Sequence, residues 1–154
     1  MTAKLRILFV LGLLTIANCA IAENDVSSFG ECLRECKGYY GSETKDLHSI
    51  KMVNTKQILG MQDGKCIYKE QIKTKDGSYT VKCSFTSAQS SELADAISKF
   101  NSGNEGDNVD INDFEQVQNT SVSQAWSKYL TDTNVCSLEQ NGRFILNTEK
   151  NQEK

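Results

Sequence analysis

Cys32, Cys36, Cys66, Cys83 and Cys136 are the residues of this chain best placed to do chemistry. A thiolate can ligate a metal, exchange disulfides or attack carbon, and spacing decides among these uses. Zinc wants close ligand pairs of the C-x-x-C kind twice over, whereas here only Cys32 and Cys36 are close, and Cys66 and Cys83 lie 17 apart. The three residues between Cys32 and Cys36 also exclude C-x-x-C redox catalysis. In CLRECK, Lys37 stands where a haem-attachment motif carries its histidine. The remaining use is a disulfide framework, the default in an oxidising compartment. Five is an odd number, so one thiol stays reduced, joins another molecule or is masked.

Other chemistry is sparse. His48 is the single histidine, on a predicted strand, and reads as a polar or half-buried strand residue. No G-x-S-x-G elbow or glycine-rich phosphate loop marks a nucleophile or a nucleotide site. GDNVDINDFE offers hard oxygen ligands in Asp107, Asp110, Asn112, Asp113 and Glu115, but lacks the alternation and central glycine of an EF-hand loop. It reads as a capped helix start with solvated charges. Asn119-Thr120-Ser121 is a glycosylation sequon, relevant to a eukaryotic source. No catalytic residue, cofactor site or metal site is assigned.

The N-terminus sets the compartment. MTAKLRILFVLGLLTIANCAIAEN places Lys4 and Arg6 before an apolar run from Ile7 to Ile16 and ends in Ala20-Ile21-Ala22. That is a Sec signal peptide with an A-x-A cleavage site, and the apolar run is too short to span a bilayer. Residues 1–22 are therefore expected to be removed, leaving a periplasmic or secreted protein. The rival is lipid attachment at Cys19, although Asn18 departs from the small residue that precedes a lipoprotein cysteine. Losing Lys4 and Arg6 takes the net charge from -3 to -5. An acidic chain without a basic run is a poor fit to nucleic acid, and no later segment is apolar enough for a membrane span. The chain has no proline, so prolyl isomerisation cannot slow its folding.

The elements that must position these cysteines follow from periodicity. SSFGECLRECKGYYG, residues 27–41, predicts a helix with Ser28 and Glu31 as a capping box, Gly38 as its stop, and both cysteines on the buried face. From about Leu47 to Phe85 the period changes to two. His48, Ile50 and Met52 begin a first strand, Gln62-Asp63-Gly64 turns the chain, and Cys66, Tyr68 and Ile72 share one face of a second strand. Tyr79, Val81, Cys83 and Phe85 share one face of a third. A second helix is capped by Thr86 and Gln89, and a third is capped by Asn112 and carries Phe114, Val117, Val122, Trp126 and Tyr129. VCSLEQNGRFILNT closes the chain as a hairpin on Asn141-Gly142. The expectation is one α+β domain over 23–147 with a frayed tail over 148–154. In it, a three-stranded antiparallel meander and a C-terminal hairpin pack against two or three helices, stapled by disulfides.

Hairpin register constrains the cysteines. With Asp76-Gly77 as a two-residue turn, Ile72 faces Val81, Glu70 faces Cys83, and Cys66 falls opposite Ser87, about four residues or roughly 13 Å from the partner of Cys83. A disulfide needs Cα atoms within about 7 Å, so Cys66 and Cys83 are expected to reach Cys32 and Cys36 on the helix, with Cys136 left over.

The run ILGMQDGKCIYKEQ, followed by KCSF and a helix, resembles small exported bacterial proteins that combine an early cysteine pair, a GKCxY-like strand and a later cysteine. A second likeness is to cystatins, which pack a helix on an antiparallel sheet and carry a Gln-x-Val-x-Gly hairpin. Gln57-Ile58-Leu59-Gly60 is one residue shorter than that motif. The first resemblance implies a fold, and the second an inhibitory hairpin. Together with the absence of marked catalytic groups, they predict a non-catalytic binding protein whose partner is a protein or a cell-envelope component. The expected contact surfaces are the solvent-facing sheet edge, Leu59, Gly60 and Met61 at the 59–65 turn, and Asp107, Asp110 and Asp113 in the 101–113 loop. Inhibition of a peptidase or other hydrolase is the second reading, and a small hydrolytic enzyme the third.

Overall fold

The computed structural model describes residues 29–47, 50–102, 109 and 113–144. Cys19, Ser28, His48, Asp107, Asp110, Asn112, the signal segment 1–22 and the tail 148–154 lie outside them. Along the described residues run α1 (Phe29–Glu35), β1 (Tyr39–Leu47), β2 (Ile50–Gln62), β3 (Lys65–Thr74), β4 (Gly77–Phe85), α2 (Ser87–Asn101), α3 (Phe114–Gln118), α4 (Ser121–Leu130), β5 (Cys136–Gln140) and β6 (Arg143–Phe144). The strands form one antiparallel sheet in sequence order, and the helices pack against one of its faces to enclose the core. The α+β expectation holds. The C-terminal hairpin on Asn141-Gly142 is present as β5–β6, and it joins the same sheet because β5 pairs with β4.

The first helix is shorter than its periodicity suggests. It ends at Glu35, Cys36 takes a left-handed conformation (φ 51°), and the Lys37 amide donates back to the Cys32 carbonyl at 2.9 Å. Tyr39 and Tyr40, expected on the helix, instead open β1, where aromatic side chains suit a pleated strand. Gly30 lets α1 approach α2 closely, since a Cβ there would meet Ile97 Cγ2 at 3.2 Å.

The turns follow local chemistry. Asp63 and Gly64 both have positive φ (50° and 74°), as do Asn141 and Gly142 (50° and 78°), the type I′ pattern that suits strand twist. The β3–β4 turn differs from expectation: Lys75 and Asp76 occupy its centre, closed by Thr74 opposite Gly77. Gly77 is held one step later by another contact, because a Cβ there would sit 2.8 Å from Asn141 Oδ1, which accepts from the Ser78 amide. The register therefore moves by two residues, so Cys66 faces Phe85 and Tyr68 faces Cys83. A two-residue shift preserves every face, which is why the apolar assignment of both strands survives it.

Thr86 and Gln89 form the expected capping box on α2. The third predicted helix is two helices. Thr120 caps α4 by accepting from the Ser123 amide (3.1 Å) while its hydroxyl donates to the Val117 carbonyl (2.9 Å), so the poor helix formers around it mark a junction. The rings of Tyr68, Phe85 and Trp126 meet beneath these helices. Trp126 lies 5.1 Å from Tyr68 and 5.8 Å from Phe85, and Tyr129 extends the cluster at 5.7 Å from Phe85.

Candidate functional site

Two disulfides replace the expected helix-to-sheet pair. Cys36 bonds Cys66 (Cα–Cα 5.5 Å), a helix-to-sheet staple of the predicted kind, and Cys83 bonds Cys136 (Cα–Cα 4.1 Å). The second corrects the expectation that Cys83 reaches the helix and Cys136 is left over: once β5 joins β4, Cys83 and Cys136 are directly facing residues. Cys32 is the odd cysteine, buried one turn before Cys36. Among the described residues, no three His, Cys, Asp or Glu side chains gather where they could hold a metal ion.

The covered face of β1, β2 and β3 carries a group of ionisable side chains that strand parity put there. Lys56 on β2 faces Glu70 on β3 directly, in the row that runs from Gly41 to Val81. Both are buried. Glu70 accepts from Asn54 Nδ2 at 2.8 Å and from the Tyr68 hydroxyl at 3.0 Å. Lys56 forms neither a hydrogen bond nor an ion pair among the described residues, and its Nζ stands 5.5 Å from the centroid of the Phe29 ring. Glu43 and Lys45, 3.9 Å apart and half-buried, continue the group toward the β1 edge.

Burial governs the protonation of these groups. It raises the Glu70 carboxyl above its ordinary range against the pull of Lys56 and the two donors, and it lowers the Lys56 amine against the pull of Glu70 and Glu43. Burial and then the charge of Glu70 push the Tyr68 phenol well above its usual value. Glu43 is raised and Lys45 lowered, again chiefly by desolvation. Here the side-chain hydrogen bonds of Glu70 run to β2 and β3 neighbours, and Phe29 of α1 lies over Lys56. The arrangement serves register: a one-residue slip would carry the whole polar set to the other face.

The exposed counterpart lies at one end of the same strands. Tyr40, Leu59 and Met61 are 56%, 52% and 53% exposed, the large apolar side chains left in solvent among the described residues. Register sets them at one end of these strands, with Tyr40 on the solvent side and Met61 opposite Cys66 on the covered side. Tyr39 faces Ile58, so Tyr40 leads into β1 where β2 reaches Leu59, and Met61 faces Cys66 beyond a bulge between Ile58 and Gly60. Gly60 adopts φ 91°, and a Cβ on it would stand 4.0 Å from the Cys36 carbonyl oxygen. The bulge, the left-handed Cys36 and the Cys36–Cys66 bond therefore hold one corner rigid.

Of the expected contact residues, Leu59, Gly60 and Met61 fall at this corner. Asp113 instead caps α3, its carboxylate accepting from the amides of Glu115 (3.0 Å) and Gln116 (3.2 Å). Tyr40 escapes the sequence reading because its segment carries a helical period. The Lys56 and Glu70 pair was legible in principle, since Glu70 shares the parity of Tyr68 and Ile72. No family model, curated protein or solved structure matches the chain.

Proposed function

We propose that this is an exported binding protein that engages a protein or cell-envelope partner through the corner formed by Tyr40, Leu59, Gly60 and Met61. One observation carries the reading: the exposed large apolar residues among the described residues all lie at one end of β1 and β2, beside a disulfide and a bulge. Solvent-exposed apolar side chains on a rigid support give contact area at little ordering cost. Export is supported by the signal-peptide pattern of residues 1–22 and by two disulfides, which fit an oxidising compartment. Among the described residues, no helix is long and apolar enough to cross a membrane.

Hydrolase inhibition is the second reading, favoured by exposed Leu59 and Met61 on β2 leading into the tight Asp63-Gly64 turn, an arrangement that can enter a cleft. Capture of envelope and secreted proteins on immobilised mature chain tests the first reading, with Tyr40, Leu59 and Met61 replaced together by serine as the control. Capture that survives the triple replacement sinks it. A panel of cysteine peptidases unaffected by excess protein removes the second.

A further inference from the structure

β1 is the long margin of the sheet. Its nine residues, Tyr39–Leu47, pair with β2 in unbroken register without proline or bulge, whereas β6 at the other margin has two residues. An edge of this length pairs with another strand unless something guards it. The guard is Glu43 and Lys45, whose charges lie on the covered side and which an apolar strand could not satisfy. A second β1 running antiparallel can satisfy both.

We propose that β1 pairs with β1 of a second copy of this chain about a two-fold axis at Thr44. In that register Glu43 of each copy faces Lys45 of the other, Ser42 faces Asp46, Gly41 faces Leu47, and Thr44 faces itself. Neighbouring symmetric registers fail on charge. An axis at Glu43 sets carboxylate against carboxylate, one at Lys45 sets ammonium against ammonium, and one at Asp46 repeats the first fault; like charges directly opposite destabilise a strand pair. An axis at Ser42 gives the same overlap but leaves Glu43 opposite Gly41 and Lys45 opposite Tyr39, so neither charge meets its opposite. The Thr44 axis joins the two sheets with both helix layers on the same side, and the interface is isologous. The proposal stands independently of the partner-binding corner.

Cysteine cross-linking reads this register. Facing residues in an antiparallel pair have Cα atoms about 4.5–5.5 Å apart, within bridging range, so Thr44→Cys is expected to give a disulfide-linked dimer under mild oxidation. Two copies of position 42 are four residues out of step, roughly 13 Å, so Ser42→Cys should link at least about tenfold more slowly. Both positions are exposed, which keeps the variants foldable. Light scattering of the unmodified mature protein should give twice the chain mass, and Lys45→Glu, still folded by circular dichroism, should return it to one chain mass. A monomeric parent protein, equal linking at positions 42 and 44, or a Lys45→Glu dimer would each overturn the proposal.

Discussion

The two halves of the sheet bury different kinds of side chain. On the β3–β5 side the covered face is apolar: Tyr68, Val81, Phe85 and Leu138 pack beneath Trp126 and Tyr129, and Cys83–Cys136 ties the strands. On the β1–β3 side the covered face holds Glu43, Lys45, Asn54, Lys56 and Glu70 among the apolar Tyr39, Met52, Ile58 and Ile72, and one end of β1 and β2 exposes Tyr40, Leu59 and Met61. Charged and amide side chains are thus buried among apolar ones in one half, against the usual partition. Burying charged groups costs stability, whereas burying aromatic rings adds to it. The charged groups of β1–β3 favour one register, because a one-residue slip would carry them to the other face.

Damage should therefore differ by side. Trp126→Ala, which removes the ring at the centre of the aromatic cluster, is expected to cost about 4 to 5 kcal/mol in chemical denaturation, enough to leave a small domain marginal. Loss of Cys83–Cys136 through a double alanine variant comes next. The bond closes a 53-residue separation, worth about 4 kcal/mol by chain entropy, against about 3.5 for the 30-residue separation of Cys36–Cys66. Urea midpoints of the two double variants measure that order, and the reverse order would weaken the comparison.

The charged half should show itself through pH. A carboxyl raised in the folded chain holds its proton more tightly there, so Glu70 contributes stability below its ordinary value of 4.5 and loses it as pH rises through the raised value. Lys56 has the opposite sense: its contribution is complete above 10.5 and is lost as pH falls through its lowered value. The unfolding free energy of the parent protein should therefore fall relative to that of Glu70→Gln, whose amide stays neutral, as pH climbs from 4.5 toward neutrality. A constant gap would show that Glu70 does not titrate differently on folding. The smallest stability effects belong to the corner, where Tyr40→Ser, Leu59→Ser and Met61→Ser are each expected to move stability by no more than about 0.5 kcal/mol.

How far the sequence reveals this division depends on what each strand buries. β3 and β4 alternate apolar and polar residues and were legible, as were the Thr86 capping box and the Asp63-Gly64 and Asn141-Gly142 turns. β1 was not, because its covered positions are Tyr39, Gly41, Glu43 and Lys45, which give no apolar period. With β1 hidden, the first helix reads too long and Tyr40 is lost in it. The β3–β4 register differs by two because Gly77 answers to Asn141, a contact from the C-terminal turn that no local rule contains. The same blindness to β4–β5 pairing gives Cys83 the wrong partner. The exposure of Leu59 and Met61 was legible from local signals alone, since a bulge glycine beside a tight turn exposes its neighbours wherever the sheet lies.

The most direct test pairs capture with melting for one variant, the combined serine replacement of Tyr40, Leu59 and Met61. Its thermal midpoint should stay with that of the parent protein while the captured partner is lost. Full retention of the partner by a correctly folded triple variant would contradict the assignment of the corner as the contact surface.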